Sequence, residues 1–549
     1  MIIYCDQLYQ NPVQTLVAFD DVEVKEVFDR IEELRHQYIL IGYVRYEAKD
    51  VWLGKPVKSD LPLVYMQVFQ HGENYVPNEP MEIDLEPVPA ISYHRYHQDL
   101  SKIKSRLHCG DTYQVNYTYD SFVYTNHSAR EVYESILPFQ KTPYNAFFSN
   151  EYEEILSFSP ELFFEWEGQK IRTKPMKGTI KRSADAQEDA ALKLWLSKDE
   201  KNRSENVMIV DLLRNDLGRI AVPNSVQVTE LFGVETHPTL HQMTSEIVAT
   251  VSRDTGLFDL FTALYPCGSI TGAPKVSTMD IIEEIEFGPR GVYCGAIAYM
   301  TPKKSTFSVP IRILQRAKNE EAYRYRVGGG IVWDSDIASE WFETQVKTRL
   351  LKNHARLVET LLVKDGVAVE AQAHWQRMKS SADILGYRWN DDIECLYPTQ
   401  DGMWRVLLSK SGRVEQEYIA MHPASTNVVR ISYEPVFSSE IALRHKTTYR
   451  PWYQAAMVKI KQGEVYDELF VNERGEITEG ARTNIFAEID GVLYTPPVSC
   501  GLLPGVLRKS LLESGSCQER ILTLDDLNRA TNLFCGNSVR GLVPVVLEK

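Results

Sequence analysis

Two glutamates occupy helical positions where an unpaired carboxylate would be costly. Steps of three and four residues from Glu205 reach a methionine, an isoleucine and a leucine, the apolar stripe by which a helix faces a core. Glu343 shares its helical face with Val346, and Glu340 lies one turn earlier on the same side. A buried carboxylate must be paired, protonated or bound to metal, and Mg²⁺ takes carboxylates together with water and substrate oxygens. The alternative is ordinary pairing along the helix, such as Glu343 with Lys347.

Two further features indicate an anionic ligand. Arg312 lies in the apolar, strand-like run VPIRIL, where a guanidinium needs an anion such as a carboxylate. A structural salt bridge explains this arginine equally well. Gly328, Gly329 and Gly330 could bring backbone N–H groups close to a carboxylate, and a tight turn is the competing explanation.

The stretch TKPMKGT holds Lys177 shortly after Pro175 and directly before Gly178. Proline fixes its own φ and glycine permits unusual backbone geometry, so this lysine could be presented at a fixed angle. The alternative is a surface lysine in a turn, because most lysines are solvated.

The elements that must position these residues alternate between strand-like and helix-like patterns, which predicts an α+β or α/β architecture. The clearest helix is SENVMIVDLLRNDL, with Ser204 as its N-cap. A second helix is predicted from about Ile337 past Leu350, with a continuation towards Leu362 also considered. The chain has 549 residues, which favours more than one domain. The motifs before and after residue 346 indicate different kinds of chemistry, so we predict domains at 1–346 and 347–549.

Composition narrows the class of protein. The hydrophobic share of 44% and the charged share of 25% are those of an ordinary globular protein, and the net charge of −15 argues against nucleic-acid binding. The chain begins without a signal-peptide pattern and has no apolar stretch long enough to span a bilayer, so no membrane partner is expected. Eight scattered cysteines without a C-x-x-C pair suit a reducing compartment, and we predict a cytoplasmic protein.

An ordered series of motifs in the first 346 residues resembles the chorismate-utilising enzymes. The series is GDTYQVN, SFSPELFF, KPMKGT, KNRSENVMIVDLLRNDLGR, PCGSITGAPK and GGGIV followed by EWFET. The resemblance implies a large α/β sandwich of antiparallel sheets that binds chorismate. By that resemblance Glu205 and Glu343 match Mg²⁺ ligands, with Glu340 in support. The groups that match the chorismate site are Arg312, Tyr299, Gly328, Gly329 and Gly330 for the carboxylates, Ser269, Thr271 and Gly272 for the ring, and His241 near the departing groups. A satisfied core histidine is the alternative for His241.

The KPMKGT motif separates members of this family. Anthranilate synthases usually carry alanine where Lys177 stands, whereas aminodeoxychorismate synthases carry the lysine, which implies that Lys177 acts as a nucleophile. Desolvation and nearby positive charge would keep its amine neutral. The chain shows no glutaminase signature, so the resemblance implies ammonia from a glutamine amidotransferase subunit. Tryptophan binding near IGYVRYEA is left open.

The remaining motifs resemble class-IV pyridoxal-phosphate enzymes. They are LVETLLVKDG, HWQRMKSSADILGY, RHKTTYRPWYQAA, EITEGARTNIFAEIDGVLYTPP, GLLPGVLRKSLLE and CGNSVRGLVPV. The resemblance implies a fold-type-IV domain in which Lys446 attaches the cofactor and Glu479 pairs with the protonated pyridine nitrogen. It implies a phosphate site at a helix start, where free N–H groups attract anions. The matching positions are Arg377, Asn484, Gly505, Val506, Leu507, Asn537 and Ser538 for the cofactor and Arg540 for a substrate carboxylate.

One position departs from the pattern of this second family, and several readings stay open. Leu507 stands where many relatives have threonine, so its phosphate contact would fall to its backbone N–H or to Ser538. The resemblances together predict amination of chorismate to 4-amino-4-deoxychorismate and elimination of pyruvate to give 4-aminobenzoate. The alternatives are anthranilate synthase chemistry in the first half and an aminotransferase or a non-catalytic docking domain in the second. One candidate assembly is a homodimer through the C-terminal domain.

Overall fold

A computed structural model describes residues 1–183, 185–236, 240–421 and 423–548, with Lys181 described by its backbone alone. The chain divides into two compact units, Met1–Glu340 and Trp341–Lys549. The division lies inside the helix that also contains the predicted domain boundary, and that boundary stays a prediction.

The described strands of the first unit are β1 Ile2–Tyr4, β2 Gln7–Tyr9, β3 Gln14–Ala18, β4 Ile39–Val44, β5 Val64–Phe69, β6 Glu73–Asn74, β7 Pro87–Pro89, β8 Gln114–Tyr124, β9 Tyr144–Ser149, β10 Glu153–Ser159, β11 Leu162–Glu167, β12 Lys170–Lys174, β13 Met176–Lys181, β14 Gln227–Thr236, β15 Leu240–Thr250, β16 Gly272–Ala273, β17 Ala296–Met300, β18 Lys304–Ser308, β19 Ile313–Ala317 and β20 Ala322–Ile331. Its helices are α1 Asp21–Leu34, α2 Lys49–Trp52, α3 Tyr93–Cys109, α4 Ala129–Ile136, α5 Ala186–Lys198, α6 Glu200–Gly218, α7 Leu257–Leu264, α8 Lys275–Ile285 and, crossing into the second unit, α9 Ile337–Lys347.

These strands form two large antiparallel sheets that share one core. In one sheet the order is β16-β8-β20-β19-β10-β9-β1-β2-β6, with β7 beside β8; in the other it is β13-β15-β12-β11-β18-β17-β4-β5-β3, with β14 beside β15. A single cluster of buried side chains draws Phe148 from the first sheet, Val44 and Phe164 from the second, and Phe261 from α7. Burial on the facing sides of both sheets stabilises the sandwich, and the predicted fold class is confirmed for this unit.

The second unit contains a small antiparallel sheet and a larger mixed one. Its strands are β21 Leu357–Lys364, β22 Val367–Ala368, β23 Gly402–Leu408, β24 Val414–Ile419, β25 Val428–Ile431, β26 Asp467–Val471, β27 Ile477–Gly480, β28 Asn484–Ile489, β29 Val492–Thr495, β30 Gln518–Glu519, β31 Asn532–Asn537 and β32 Gly541–Leu547, and its further helices are α10 Ala371–Leu385, α11 Gln454–Gln462, α12 Val506–Glu513 and α13 Leu524–Arg529. The sheet orders are β22-β21-β23-β24 and β27-β26-β25-β32-β31-β28-β29-β30.

Both predicted helices of the first half are present, with different ends. Helix α6 begins at Glu200 because the side chain of Asp199 accepts the N–H of Asn202 at 2.9 Å. Ser204 is therefore inside the helix, where its hydroxyl donates to the Glu200 carbonyl, and the prediction of Ser204 as N-cap is wrong. The continuation of α9 towards Leu362 is also wrong, because that residue lies in β21.

Among the residues described, no helix combines the length and the apolar character that crossing a membrane requires.

Candidate functional sites

Lys177 lies on a bulged strand. In the pairing of β13 with β15, Met176 is opposite Thr244 and Thr179 is opposite Gln242, so β13 carries one extra residue there. Gly178 takes a φ of +76°, and its carbonyl accepts the side-chain N–H of Gln242 at 2.7 Å. The stretch read as a possible surface turn is thus a strand whose irregularity fixes a half-buried lysine.

Glu161, which the sequence reading did not select, is the buried acid of the first site. Its Oε1 accepts the hydroxyl of Ser269 at 2.6 Å, and the residue is 5% exposed. Burial raises the pKa of Glu161, while the Ser269 hydroxyl and the positive charges of Lys177 and Arg312 act against that rise. Three predicted residues therefore surround one unpredicted carboxylate. The only sequence signal was a lone acid in the apolar run SPELFF.

The sequence predicts that Arg312 lies inside a strand. In the structure it lies immediately before β19. It has a φ of +54°, a left-handed conformation, and its carbonyl accepts the N–H of Phe158 at 3.1 Å. The recorded hydrogen bond of its guanidinium is to a neutral group, Oε1 of Gln140 at 3.3 Å. Burial lowers the pKa of this guanidinium against the opposing effects of Tyr325 and Glu161. A desolvated cation held by a neutral partner suits an anionic ligand.

The three consecutive glycines lie within β20 and form no turn. Gly328, Gly329 and Gly330 pair with Thr118, Tyr117 and Asn116 of β8. A Cβ on Gly328 would lie 1.9 Å from the Tyr117 carbonyl oxygen, so close approach of the strands requires glycine there. The recorded pairing of β20 with β19 involves Tyr325 and Arg324 and stops before the glycines.

A buried turn between α7 and α8 positions Ser269. Thr271 is fully buried, and its hydroxyl is 3.2 Å from the Cys267 carbonyl. Gly272 has a φ of +148°, and a Cβ on it would lie 1.9 Å from the Gln114 carbonyl oxygen. The turn is therefore tied to β8 at a position that only glycine fits.

His241 is buried on β15 with partners at both ring nitrogens. Nδ1 is 3.1 Å from the hydroxyl of Thr236, and Nε2 is 3.0 Å from a carboxylate oxygen of Asp189 on α5. Asp189 also pairs with Arg182. These contacts are those of a satisfied histidine, the alternative left open by the sequence.

Tyr299 lies in an aromatic cluster with residues from the start of the chain. Its ring stacks on Tyr4 with centroids 4.6 Å apart, and its hydroxyl is 3.2 Å from that of Tyr9. None of the contacts recorded for it among the described residues joins it to Glu161 or Arg312. These contacts therefore do not place Tyr299, a predicted carboxylate ligand, beside the other residues of the first site.

The predicted metal ligands differ in their surroundings. Glu205 is half-buried, since the buried stripe of α6 runs through its neighbour Asn206. Glu340 accepts the hydroxyl of Ser335 at 2.7 Å. Glu343 is 57% exposed and pairs with Lys347 at 2.8 Å, so the prediction that it faces inward is wrong. Among the described residues no three histidine, cysteine or acidic side chains form a ready metal cluster.

The second unit encloses a cavity of about 360 Å³. Arg540 lines this cavity. So do most of the predicted cofactor residues, namely Arg377, Lys446, Glu479, Asn484, Gly505, Val506, Asn537 and Ser538. Leu507 is the exception: it does not line the cavity, and its side chain packs beside Gly536, which does. The sequence analysis missed three arginines that line the cavity, Arg405, Arg450 and Arg482. Nothing in the sequence indicates that residues at these separate positions share one cavity.

Lys446 and Glu479 have unusual proton affinities in this cavity. Burial lowers the pKa of Lys446 to about 7, with Glu359 opposing and the charge of Arg377 assisting. Burial raises the pKa of Glu479 to about 7, against Arg450 and the hydroxyl of Tyr453. An amine that is neutral near pH 7 can attack a carbonyl, and perturbed groups in a cavity indicate a functional site.

Arg377 is held by a buried carboxylate at one end of the cavity. Its Nε and Nη2 donate to Glu359 at 2.8 and 2.5 Å, and its Nη1 donates to the Pro504 carbonyl at 3.1 Å. His374 bonds the same carboxylate at 2.7 Å. Burial by itself raises the pKa of Glu359, but Arg377 and His374 hold it well below its usual range. The guanidinium is thus fixed beside the loop that leads into α12.

Helix α12 begins where the phosphate site was predicted. Gly505 is its N-cap residue, with extended backbone, and a Cβ there would lie 2.0 Å from Oδ1 of Asn484. Asn484 in turn donates to the Leu503 carbonyl at 3.0 Å and to Oε2 of Glu479 at 3.2 Å. In the turn between β31 and β32, Oδ1 of Asn537 accepts the N–H of Arg540 at 2.9 Å. The groups present fit pyridoxal phosphate: a lysine, a carboxylate that can accept a hydrogen bond, and the free N–H groups of a helix start.

Comparison with known proteins agrees with both resemblances. Residues 73–353 match the family described as chorismate binding enzyme, and residues 414–547 match the family described as amino-transferase class IV. Aminodeoxychorismate synthase component 1 of Escherichia coli is 35% identical over 324 residues, which is 59% of this chain and 67% of that one. Anthranilate synthase component 1 of Saccharolobus solfataricus is 30% identical over 340 residues, 57% of this chain and 79% of that one.

A solved structure shares the fold of the first unit. Anthranilate synthase component I from Streptococcus pneumoniae has a TM-score of 0.55 and 23% identity, covering 63% of this chain and 91% of the other. The chain spans 55 to 67% of the length of the aminodeoxychorismate synthase component 1 relatives it matches. The two resemblances drawn from the motifs are confirmed.

Proposed function

Because the chain belongs to the chorismate binding enzyme family and continues into a class IV aminotransferase segment, we propose that it is a bifunctional enzyme of 4-aminobenzoate synthesis. The first unit aminates chorismate to 4-amino-4-deoxychorismate. The second eliminates pyruvate from that product and leaves 4-aminobenzoate.

The cluster of Lys177, Glu161, Ser269 and Arg312 is the observation that supports the first step. Arg312 binds a substrate carboxylate, and Lys177 attacks C2 of chorismate as its C4 hydroxyl leaves. Glu161, held by Ser269, takes or returns a proton beside this lysine. Ammonia then attacks C4, and the lysine departs with its electron pair, so the enzyme is regenerated.

The first step uses Mg²⁺ in this proposal. Glu205 and Glu340 of the first unit would hold the ion together with oxygens of the substrate and water, and the part of Glu343, which pairs with Lys347, stays a sequence prediction. Removal of metal by a chelator should stop amination while elimination from supplied 4-amino-4-deoxychorismate continues at its normal rate.

The second step uses pyridoxal phosphate, which supplies an electron sink when bound. Lys446, which is buried in the cavity and has its pKa lowered by that burial to about 7, is the observation that supports it. Lys446 attaches the cofactor and moves protons at the substrate, while Glu479 pairs with the pyridine nitrogen. The start of α12, Arg377 and the Asn537–Ser538 turn hold the phosphate, and Arg540 binds a substrate carboxylate.

Ammonia comes from a glutamine amidotransferase subunit in this proposal. The support is the name of the Escherichia coli relative, component 1, which implies a further component. The predicted homodimer through the second unit stays a prediction.

Product analysis tests the proposal. The purified chain, incubated with chorismate, ammonia, Mg²⁺ and pyridoxal phosphate, should release 4-aminobenzoate and pyruvate in equal amounts. Anthranilate would assign the first unit to the chemistry of the Saccharolobus relative. Accumulated 4-amino-4-deoxychorismate would remove the lyase assignment alone, and amination of an added α-keto acid by an amino donor would make the second unit an aminotransferase.

A further inference from the structure

Arg450 lies in the second cavity without a role in the proposed cofactor site. It is four residues beyond Lys446 and immediately precedes a short 3₁₀ turn, Pro451–Tyr453. It lines the same cavity as Lys446 and Glu479. A third charged group in the cavity that holds Lys446 and Glu479 can influence both of them.

Arg450 and Tyr453 meet at one oxygen of Glu479. Nη2 of Arg450 is 3.5 Å from Oε1, and the hydroxyl of Tyr453 donates to the same atom at 2.9 Å. The guanidinium carbon lies 4.6 Å from the centroid of the Tyr453 ring. The other oxygen, Oε2, accepts from Asn484. Glu479 is therefore fixed from both sides.

The contacts of Arg450 are looser than those of a structural ion pair. A structural pair is usually bidentate and short, whereas the contacts of Nη2 with Glu479 and of Nη1 with the Ala481 carbonyl are both 3.5 Å. Its Nε is buried and has no hydrogen-bond partner among the described residues. The guanidinium acts on Glu479 mainly through its charge.

We propose that Arg450 is a positioning residue for the cofactor, which keeps Glu479 ionised for the pyridine nitrogen and Lys446 uncharged for attachment. This inference rests on the proposed binding of pyridoxal phosphate in the cavity. In it Arg450 acts through Glu479 and Lys446 and is not itself a catalytic residue.

The surrounding charges single out Arg450. Besides burial, the main influences on the pKa of Glu479 are Arg450, Tyr453 and the Leu503 backbone, which lower it, and Asp467, which raises it. The main influences on the pKa of Lys446 besides burial are Glu359, which raises it, and Arg377, Arg450 and Arg405, which lower it. Arg450 belongs to both sets of main influences. A single positive charge favours the carboxylate at one position and the neutral amine at the other.

The test uses the full chain and a readout of proton position. Pyridoxal phosphate labelled with ¹⁵N in its ring is bound to the wild type, to Arg450→Met and to Arg450→Lys, and the ¹⁵N chemical shift is recorded across pH. In a second measurement, the rate at which apoprotein captures the cofactor, trapped by borohydride, is followed against pH. Arg482→Met is the matched control, since Arg482 also lines the cavity but donates to the Tyr466 carbonyl and lies over that ring.

Arg450→Met should move the ¹⁵N shift towards that of an unprotonated pyridine and raise the midpoint of cofactor capture by about one pH unit. Arg450→Lys should restore much of both values, and Arg482→Met should leave both near wild type. If Arg450→Met is insoluble, Arg450→Gln replaces it with the same expectation.

Unchanged shift and midpoint in a variant that still binds cofactor would overturn the role of Arg450. A wild type that captures no cofactor would overturn the proposed second function as well, and the two failures are thus distinct.

Discussion

Lys177 owes its orientation to the residue that follows it. Gly178 adopts a φ of +76° at the bulge of β13, a conformation in which a side chain is strained. The neighbouring Lys174, in contrast, lies on the regular strand β12 and pairs with Glu235. The two lysines are close in sequence, but Lys174 is held in an ion pair whereas Lys177 is presented by the bulge.

Substitution Lys177→Ala should reduce the formation of 4-amino-4-deoxychorismate by at least about 100-fold, because the nucleophile is lost. Elimination of pyruvate from supplied 4-amino-4-deoxychorismate should be unchanged. Lys174→Ala is the control and should retain most amination. Both rates are measured by product analysis, and wild-type amination by Lys177→Ala would remove the nucleophilic role.

Glu161 couples stability to pH. Its pKa is raised in the folded protein, so between its ordinary pKa and the raised one the folded state binds more protons than the unfolded state. Stability therefore falls as pH rises through that window. Glu161→Gln should unfold at the same temperature as wild type below pH 4 and at a higher temperature above neutrality. Thermal unfolding monitored at several pH values checks this, and parallel curves for both proteins would contradict it.

At the scale of single elements, the start of α12 depends on one glycine. The side chain of Asn484 occupies the space that a Cβ on Gly505 would need. The same asparagine contacts Glu479, so β28 links the two ends of the predicted cofactor site. A shift of this helix start would disturb the phosphate and the pyridine contacts together.

Gly505→Ala should weaken the binding of pyridoxal phosphate by about tenfold or more, because the methyl group displaces Asn484 and the helix N–H groups. Gly218→Ala provides the comparison: nothing lies within 4 Å of a Cβ built there. Affinity is measured by fluorescence titration of the apoprotein. Equal affinity in both variants would show that the helix start does not hold the phosphate.

Helix α9 shows how a wheel pattern can mislead. Trp341, Thr344 and Gln345 are its buried residues, while Glu343 lies between them in sequence and faces solvent with Lys347. In α6 the buried stripe likewise runs one residue away from the expected one, through Asn206. Helical spacing fixes which residues share a face, but the neighbouring element decides which face is covered.

At the scale of the whole molecule, each compact unit carries its own set of reactive groups. The lysine of the first site and the lysine of the second belong to different units. The two proposed reactions should then be separable, provided that the intermediate is stable enough to leave one protein and enter another.

A mixture of two variants, each of which lacks one of the two proposed activities, tests this separation. Lys446→Ala should convert chorismate and ammonia to 4-amino-4-deoxychorismate and stop there. Adding the Lys177→Ala protein should restore 4-aminobenzoate, measured by its fluorescence, at a rate that depends on its concentration. Continued absence of 4-aminobenzoate would mean that the intermediate does not pass between separate chains.

The sequence by itself determined the two families and the fold class, and it selected most of the predicted cofactor residues that line the second cavity, because each motif couples a local backbone form to a chemical group. The start of α12 follows from LPGV in this way, as does the placement of Lys446 and Glu479. Only the tertiary structure decided what surrounds a charge. Glu161 and Glu359 come from distant segments, and burial together with neighbouring positive charges sets the proton affinity of each carboxylate. For the same reason Tyr299 and Glu343, which matched by position, turned out to have other neighbours.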